Sequence, residues 1–377
     1  MKAVFLYHAF TSCWNNGNVH FLRGVTRELA RLGHEVLVCE PSQGWSRVNA
    51  IQDGGEATLR NAASLIPGVK LCLYGPELDL DPILEGADLV IVHEWNSPAL
   101  IARIGRRRAA GANFKLLFHD THHRAVTAPQ QLALFDLDGF DGVLAFGEVL
   151  RQIYEKRGWA RRAYTWHEAA DVELYRPMPE IQKQRDIVWI GNWGDDERSD
   201  ELVEFLIGPV RDLNLSGRIY GVRYPAEALD AISAGGIEYG GWLPNHEAPL
   251  AFAQARVTVH VPRAPYARQL SGIPTIRMFE ALACGIPLVS APWLDEERLF
   301  PPDCYLRVSS GESMRRALSA VLRDADLAGS FVLAGLDAIR KRHTCGHRVQ
   351  ELLAIVDELN VLEPARNSVR PHERIAS

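Results

Sequence analysis

One stretch limits the architecture more than any other: Ser271–Ser290, reading Ser-Gly-Ile-Pro-Thr-Ile-Arg-Met-Phe-Glu-Ala-Leu-Ala-Cys-Gly-Ile-Pro-Leu-Val-Ser. Gly272 and Pro274 shape a loop, and proline suits the first turn of a helix. Ile276, Phe279, Leu282 and Ala283 then recur at helical spacing. Gly285 fits the left-handed position just past a helix, Pro287 confirms the stop, and Leu288 and Val289 read as a buried strand. A short helix between a glycine loop and a core strand leaves free N–H groups at its start. With the helix dipole, these form an anion site. Arg277 adds charge in the first turn, and Glu280, about a turn later, can accept hydrogen bonds from ribose hydroxyls. The stretch therefore predicts a cradle for a nucleoside diphosphate, built from Ser271, Gly272, Ile273, Thr275, Ile276, Arg277 and Glu280. The same pattern also describes an ordinary βα unit of an α/β core.

The rest of the chain builds such a core twice. Ala3–Tyr7 is a compact apolar run, Val19–Leu32 has helical period ending at Gly33, and Glu35–Cys39 is the next strand, the β–loop–α–β opening of a doubly wound sheet. Strands follow at Val69–Tyr74, Leu89–His93, Lys115–Phe118, Gly142–Ala145 and Ala163–Trp166. The pattern restarts at Asp186–Ile190, with a glycine-bearing loop and a helix from Asp200 to Ile207 capped by Asp200. At 377 residues two domains are expected. They are placed at 1–172 and 180–343, joined by a linker that Pro177 and Pro179 stiffen. A closing helix spans 344–360, and the tail 363–377 has the composition of a disordered segment. A net charge of −6 and a pI near 6.1 argue against nucleic acid as a partner. Six cysteines without a CxxC predict reduced thiols in a cytoplasmic protein, and no apolar run is long enough to span a membrane.

Polar residues collect where strands should end, and ligands of doubly wound sheets bind at those ends. The Leu89–His93 strand runs into His93-Glu94, and the Lys115–Phe118 strand into His119-Asp120-Thr121-His122-His123-Arg124. The second cluster suits proton transfer through His119, Asp120 or His122. Zinc is a further reading of His119, His122 and His123, but no cysteine or carboxylate is evidently placed to complete a tetrahedron. Arg106–Arg108 at a helix end reads as a solvated basic patch or as a weak contact for an anionic membrane surface.

Arg277-Met-Phe-Glu-Ala-Leu-Ala-Cys-Gly-Ile-Pro-Leu-Val-Ser290 resembles the donor-binding segment of GT-B glycosyltransferases, with the retaining family-four-type and CgeB-like enzymes nearest. Gly17–Val38, the Ala170–Pro177 linker and the His343–Ile355 helix extend the resemblance over about residues 3–358. It implies two Rossmann-like domains facing a cleft, with the last helix crossing back to the first domain. Glu280 matches the second of the family's two glutamates; the first falls at Gly272 and is absent. The resemblance further implies that Gly17 and Asn18 approach the donor, that Arg198 and Arg268 assist the diphosphate and that Trp242 or Leu243 covers the base. His119, Asp120 and His122 become catalytic candidates, and His93 and Glu94 face the acceptor. The expected reaction moves a hexosyl group from a UDP- or GDP-linked sugar to a glycan, lipid or protein hydroxyl, without metal or cofactor and with retention. A nucleotide-sugar epimerase or an inactive nucleotide-binding protein of the same fold is the alternative. A dehydrogenase would need a GxGxxG motif after the first strand, which is lacking.

Overall fold

The computed structural model describes residues 1–362, so the predicted disordered tail lies outside the described residues. Two parallel sheets organise the chain. In the first, strands β1 (Lys2–Leu6), β2 (Glu35–Pro41), β3 (Val69–Tyr74), β4 (Leu89–His93), β5 (Lys115–Asp120), β6 (Gly142–Ala145) and β7 (Ala163–Thr165) lie in the order β3-β2-β1-β4-β5-β6-β7. In the second, β8 (Arg185–Ile190), β9 (Gly217–Tyr220), β10 (Ile237–Tyr239), β11 (Ala255–His260), β12 (Leu288–Ser290) and β13 (Leu306–Arg307) lie in the order β10-β9-β8-β11-β12-β13. Both orders reverse beside the first strand of their half. That places two switch points, where open α/β sheets bind ligands, opposite one another. The central strands β1, β4 and β5 are near-continuous apolar runs because both their faces are covered.

Two features position the cleft. The Ile276–Cys284 helix is buried at every residue except Arg277 and ends at Gly285 in the left-handed conformation (φ 66°). The last helix, Cys345–Leu362, lies along the Val19–Arg31 helix of the first half. Trp166 Nε1 donates to the Arg348 carbonyl at 2.8 Å, and Tyr164 Oη donates to Glu358 at 3.0 Å. Gly24 is required by that approach: a Cβ there would stand 2.9 Å from Asp171 Cβ and closer still to Cys345 Sγ.

A helix spans Trp45–Ser64 and is kinked at Gly55 (φ 68°). The segment expected to begin at Asp200 begins at Ser199, passes through a π-helical stretch at Val203–Ile207 and continues to Asp212. Asp200 therefore sits in the first turn, and Arg198 holds the cap position. A short helix, Ala264–Arg268, follows β11.

Candidate active site

Between the two sheets lies a cavity of about 600 Å³. The first half lines it with loops after its strands, from His8 and Trp14–Asn18 to His93, Trp95 and Thr121–His123. From the second half come Gly191–Asn192, Arg198, Arg223, Arg263, Tyr266 and the Pro274–Arg277 helix entry. Thr275 occupies the N-cap without a side-chain cap bond, so the first-turn N–H groups at Ile276 and Arg277 are offered to the cavity. Gly17 packs directly on this entry. A Cβ on it would stand 2.9 Å from Ile276 Cγ2, and its carbonyl accepts from Asn245 Nδ2 at 3.1 Å.

Arg198 reveals most about the site's charge. It is 9% exposed, donates to the carbonyls of Val261 at 2.9 Å and Asn192 at 2.6 Å, and lies 5.0 Å from the Trp189 ring centre. No carboxylate contacts it among the described residues, and its Nε has no partner. Burial, then the charge of Arg263, pushes its guanidinium down to about 9. A buried cation in that condition is completed by an anion. Arg263 is held by Glu197 at 2.9 Å, and Arg277 pairs with Glu280.

Glu280 does not line the cavity. It is fully buried and reaches across to the first half, where His20 Nδ1 lies 2.9 Å away. Despite burial, Arg277 and His20 hold its carboxyl below the usual range. The carboxylate expected to meet a ribose instead couples the cleft arginine to the Val19–Arg31 helix. Gly272 (φ 94°), Ile273 and Ser271 lie behind the entry rather than on the cavity wall. Ile273 is fully buried in the first half's core, and a Cβ on Gly147 would fall 2.6 Å from its Cδ1. Arg268 points away, exposed and paired with Glu201 at 3.1 Å. Trp242 lines smaller adjoining recesses that share Trp14, Gly17, Arg223 and Arg277 with the cavity.

The histidine cluster divides in the same way. His122 and His93 line the cavity; His119, Asp120 and Glu94 do not. His119 is enclosed by Phe21, Trp166 and His93. Asp120 accepts from Tyr154 Oη at 2.8 Å and the His122 N–H at 3.0 Å, and Glu94 holds Arg124. The cause is that β5 is buried on both faces, so His119 and Asp120 both point into protein. Burial, then the charges of His123 and Arg124, pushes His122 down to about 2, so its imidazole is neutral and a poor proton acceptor. Among the described residues no three His, Cys, Asp or Glu side chains group as metal ligands.

Sequence reasoning missed Glu168. This carboxyl at the end of the first half lines the cavity at 3% exposure, and its Oε1 has no partner. Burial first, then the negative charge of Glu280, raises its pKa well above the usual carboxylate range. Only its position, just past the last strand of the first sheet, could have flagged it.

The paired parallel sheets, the cleft and the returning helix define the GT-B fold. Residues 198–354 match the family model described as "Glycosyl transferase-like". Among solved structures, sucrose-phosphate synthase from Thermosynechococcus elongatus is similar at TM-score 0.65 and 14% identity, covering 96% of this chain and 99% of that one. Anabaena HepE in complex with UDP and glucose is similar at TM-score 0.65 and 14% identity over 95% and 99% of the two chains. An alpha-glucosyltransferase in complex with UDP and a 13-mer DNA gives TM-score 0.68 at 11% identity, over 94% and 99%. No curated protein matches in sequence. Together these findings show the GT-B fold and, over residues 198–354, a likeness to glycosyl transferases. Among the described residues no helix is long and apolar enough to cross a membrane.

Proposed function

We propose that the chain transfers a hexosyl group from a UDP-linked sugar to an acceptor hydroxyl, without a metal ion and with retention of anomeric configuration. The observation that carries this reading is Arg198: a buried cation without a carboxylate, beside uncapped helix N–H groups, at a switch point. The leaving diphosphate gains negative charge as the anomeric carbon becomes oxocarbenium-like, and preorganised donors stabilise that charge most in a water-poor cleft. Arg198, Arg263 and the Ile276–Arg277 N–H groups supply such donors, which is why no metal is invoked. UDP is favoured over GDP because several structural neighbours hold UDP.

Retention is favoured because inversion needs a base on the acceptor side. Asp120 is walled off and His122 is too weakly basic. The acceptor proton then passes to the departing diphosphate oxygen on the donor face. Glu168, kept neutral by burial, donates a hydrogen bond to a hydroxyl of the transferred sugar, and Trp242 borders the base. A cytoplasmic site of action, with all six thiols free, completes the reading. A membrane contact through Arg106–Arg108 is weakened by pairing, since Arg107 bonds Asp81 and Arg108 bonds Asp141.

The test is calorimetry with UDP and GDP in excess EDTA, followed by proton NMR of the first-formed product. UDP binding without metal and an anomeric coupling matching the donor support the reading. A protein that binds neither nucleotide refutes it.

A further inference from the structure

The cavity has a charge division that follows the chain. Of the charged residues that line it, Asp195, Glu197, Arg198, Arg223, Arg263 and Arg277 belong to the second half. The first half contributes a single charged-type residue, Glu168, at its end beside the linker; its strand-end loops contribute no Lys, Arg, Asp or Glu. The titratable members of those loops are histidines, and burial leads in lowering each: His8 to about 4, His122 to about 2, and His93 and His123 below their ordinary value. This wall is therefore electrically neutral at pH 7.

It is also rich in aromatic surface. Trp45 is 54% exposed and Trp95 44% exposed, although both line a cavity. Trp14 stands edge-on to Trp45 with ring centres 4.7 Å apart and is anchored by Nε1 donating to Asp53 at 2.7 Å. Trp95 is fixed by the Arg124 guanidinium 4.2 Å from its ring centre and by His122 at 5.0 Å. Rings held this rigidly and left open to water are costly unless something covers them. Between them stand neutral hydrogen-bonding groups: Asn15, Asn16, Ser46, His8 and His93.

We propose that this wall is the acceptor subsite and that the acceptor is an uncharged saccharide, its ring face stacked on Trp45 or Trp95. A pyranose presents a C–H face and a rim of hydroxyls, which match open indole faces and neutral polar groups respectively. Nucleic acid and phospholipid headgroups need unpaired Lys or Arg to replace their counterions; none lines the wall, and Arg124 behind Trp95 is paired with Glu94. The assignment rests on the glycosyltransferase reading, because it takes the opposite wall as the donor side.

The experiment uses the full chain loaded with UDP. Tryptophan fluorescence is titrated with methyl glucosides, galactosides and mannosides of both anomers and with neutral gluco-oligosaccharides. A 13-mer DNA duplex and vesicles of phosphatidylglycerol are titrated in parallel. A saturable response to at least one saccharide is expected, weakened about tenfold by Trp45→Ala or Trp95→Ala, with UDP affinity by calorimetry unchanged in both variants. Correct folding of each variant is checked by that same UDP affinity. Intact UDP binding with no response to any saccharide overturns the subsite alone, as does DNA or vesicle binding that the tryptophan changes abolish. Loss of UDP binding in the unaltered protein instead overturns the functional reading beneath it.

Discussion

Replacing Arg198 by methionine separates its role as a ligand group from any role in folding. Methionine keeps most of the volume against Trp189 and removes the charge. The two backbone bonds it loses, to Val261 and Asn192, are offset in part because a buried cation without a carboxylate is also removed. One hydrogen bond to a charged group contributes about 1.5–3 kcal/mol, so UDP affinity should fall by roughly 30-fold. At a UDP concentration about 100 times the original Kd, ligand stabilisation is about 2.7 kcal/mol; a roughly 30-fold weaker site leaves about 0.9 kcal/mol. The ligand-induced rise in Tm should shrink from roughly 3 °C to roughly 1 °C, while the unliganded Tm changes little. Thermal scans with and without UDP, backed by calorimetry, read both numbers. A variant with unaltered UDP affinity and the full thermal shift would refute the argument that this guanidinium awaits a diphosphate.

Glu168→Gln should stabilise the protein increasingly with pH. A carboxyl whose folded pKa is raised contributes its full stability below the unfolded value near 4.5 and loses it as pH rises toward the folded value; glutamine has no proton to lose. Unfolding in urea at pH 5 and pH 8 should give a larger gain at pH 8, and equal gains would place the carboxyl in water. Glu280→Gln leaves Arg277 without its buried counter-charge and should cost about 3 kcal/mol by urea unfolding. A loss under about 0.5 kcal/mol, the level of an exposed pair, would contradict the burial. Gly24→Ala drives a methyl into Asp171 and into Cys345 on the last helix, and should lower stability by about 1–3 kcal/mol. An unchanged Tm would mean that the last helix does not press on this point.

The architecture was legible because it is written in local periods: apolar runs for strands buried on both faces, and helical spacing stopped by Gly33 and Gly285. The Ser271–Ser290 stretch likewise yields its helix and left-handed stop from adjacent residues. Side-chain direction was not legible. His119, Asp120 and His122 are near neighbours in sequence, yet only His122 reaches the cavity, because the strand pleat and the turn after it decide what each one faces. Glu280 shares a helix with Arg277 but points at His20, on the first long helix of the other half, a pairing no local pattern encodes. Glu168, Trp14 and Trp45 carry no motif at all; what marks them is the state of their surroundings, an unpartnered oxygen and open rings in a cavity.

The chain passes between the two halves twice, and the passages are bonded to each other. The Ala170 N–H donates to the His343 carbonyl at 2.9 Å, and the Cys345 N–H to the Ala170 carbonyl at 3.0 Å. Two connections fastened at one place act as a single pivot. Any opening of the cleft must then be a swing about that seam, small at Glu168 beside it and widest at the far rim. The arginine-lined wall and the tryptophan wall would part like the covers of a book, with Glu168 nearest the spine.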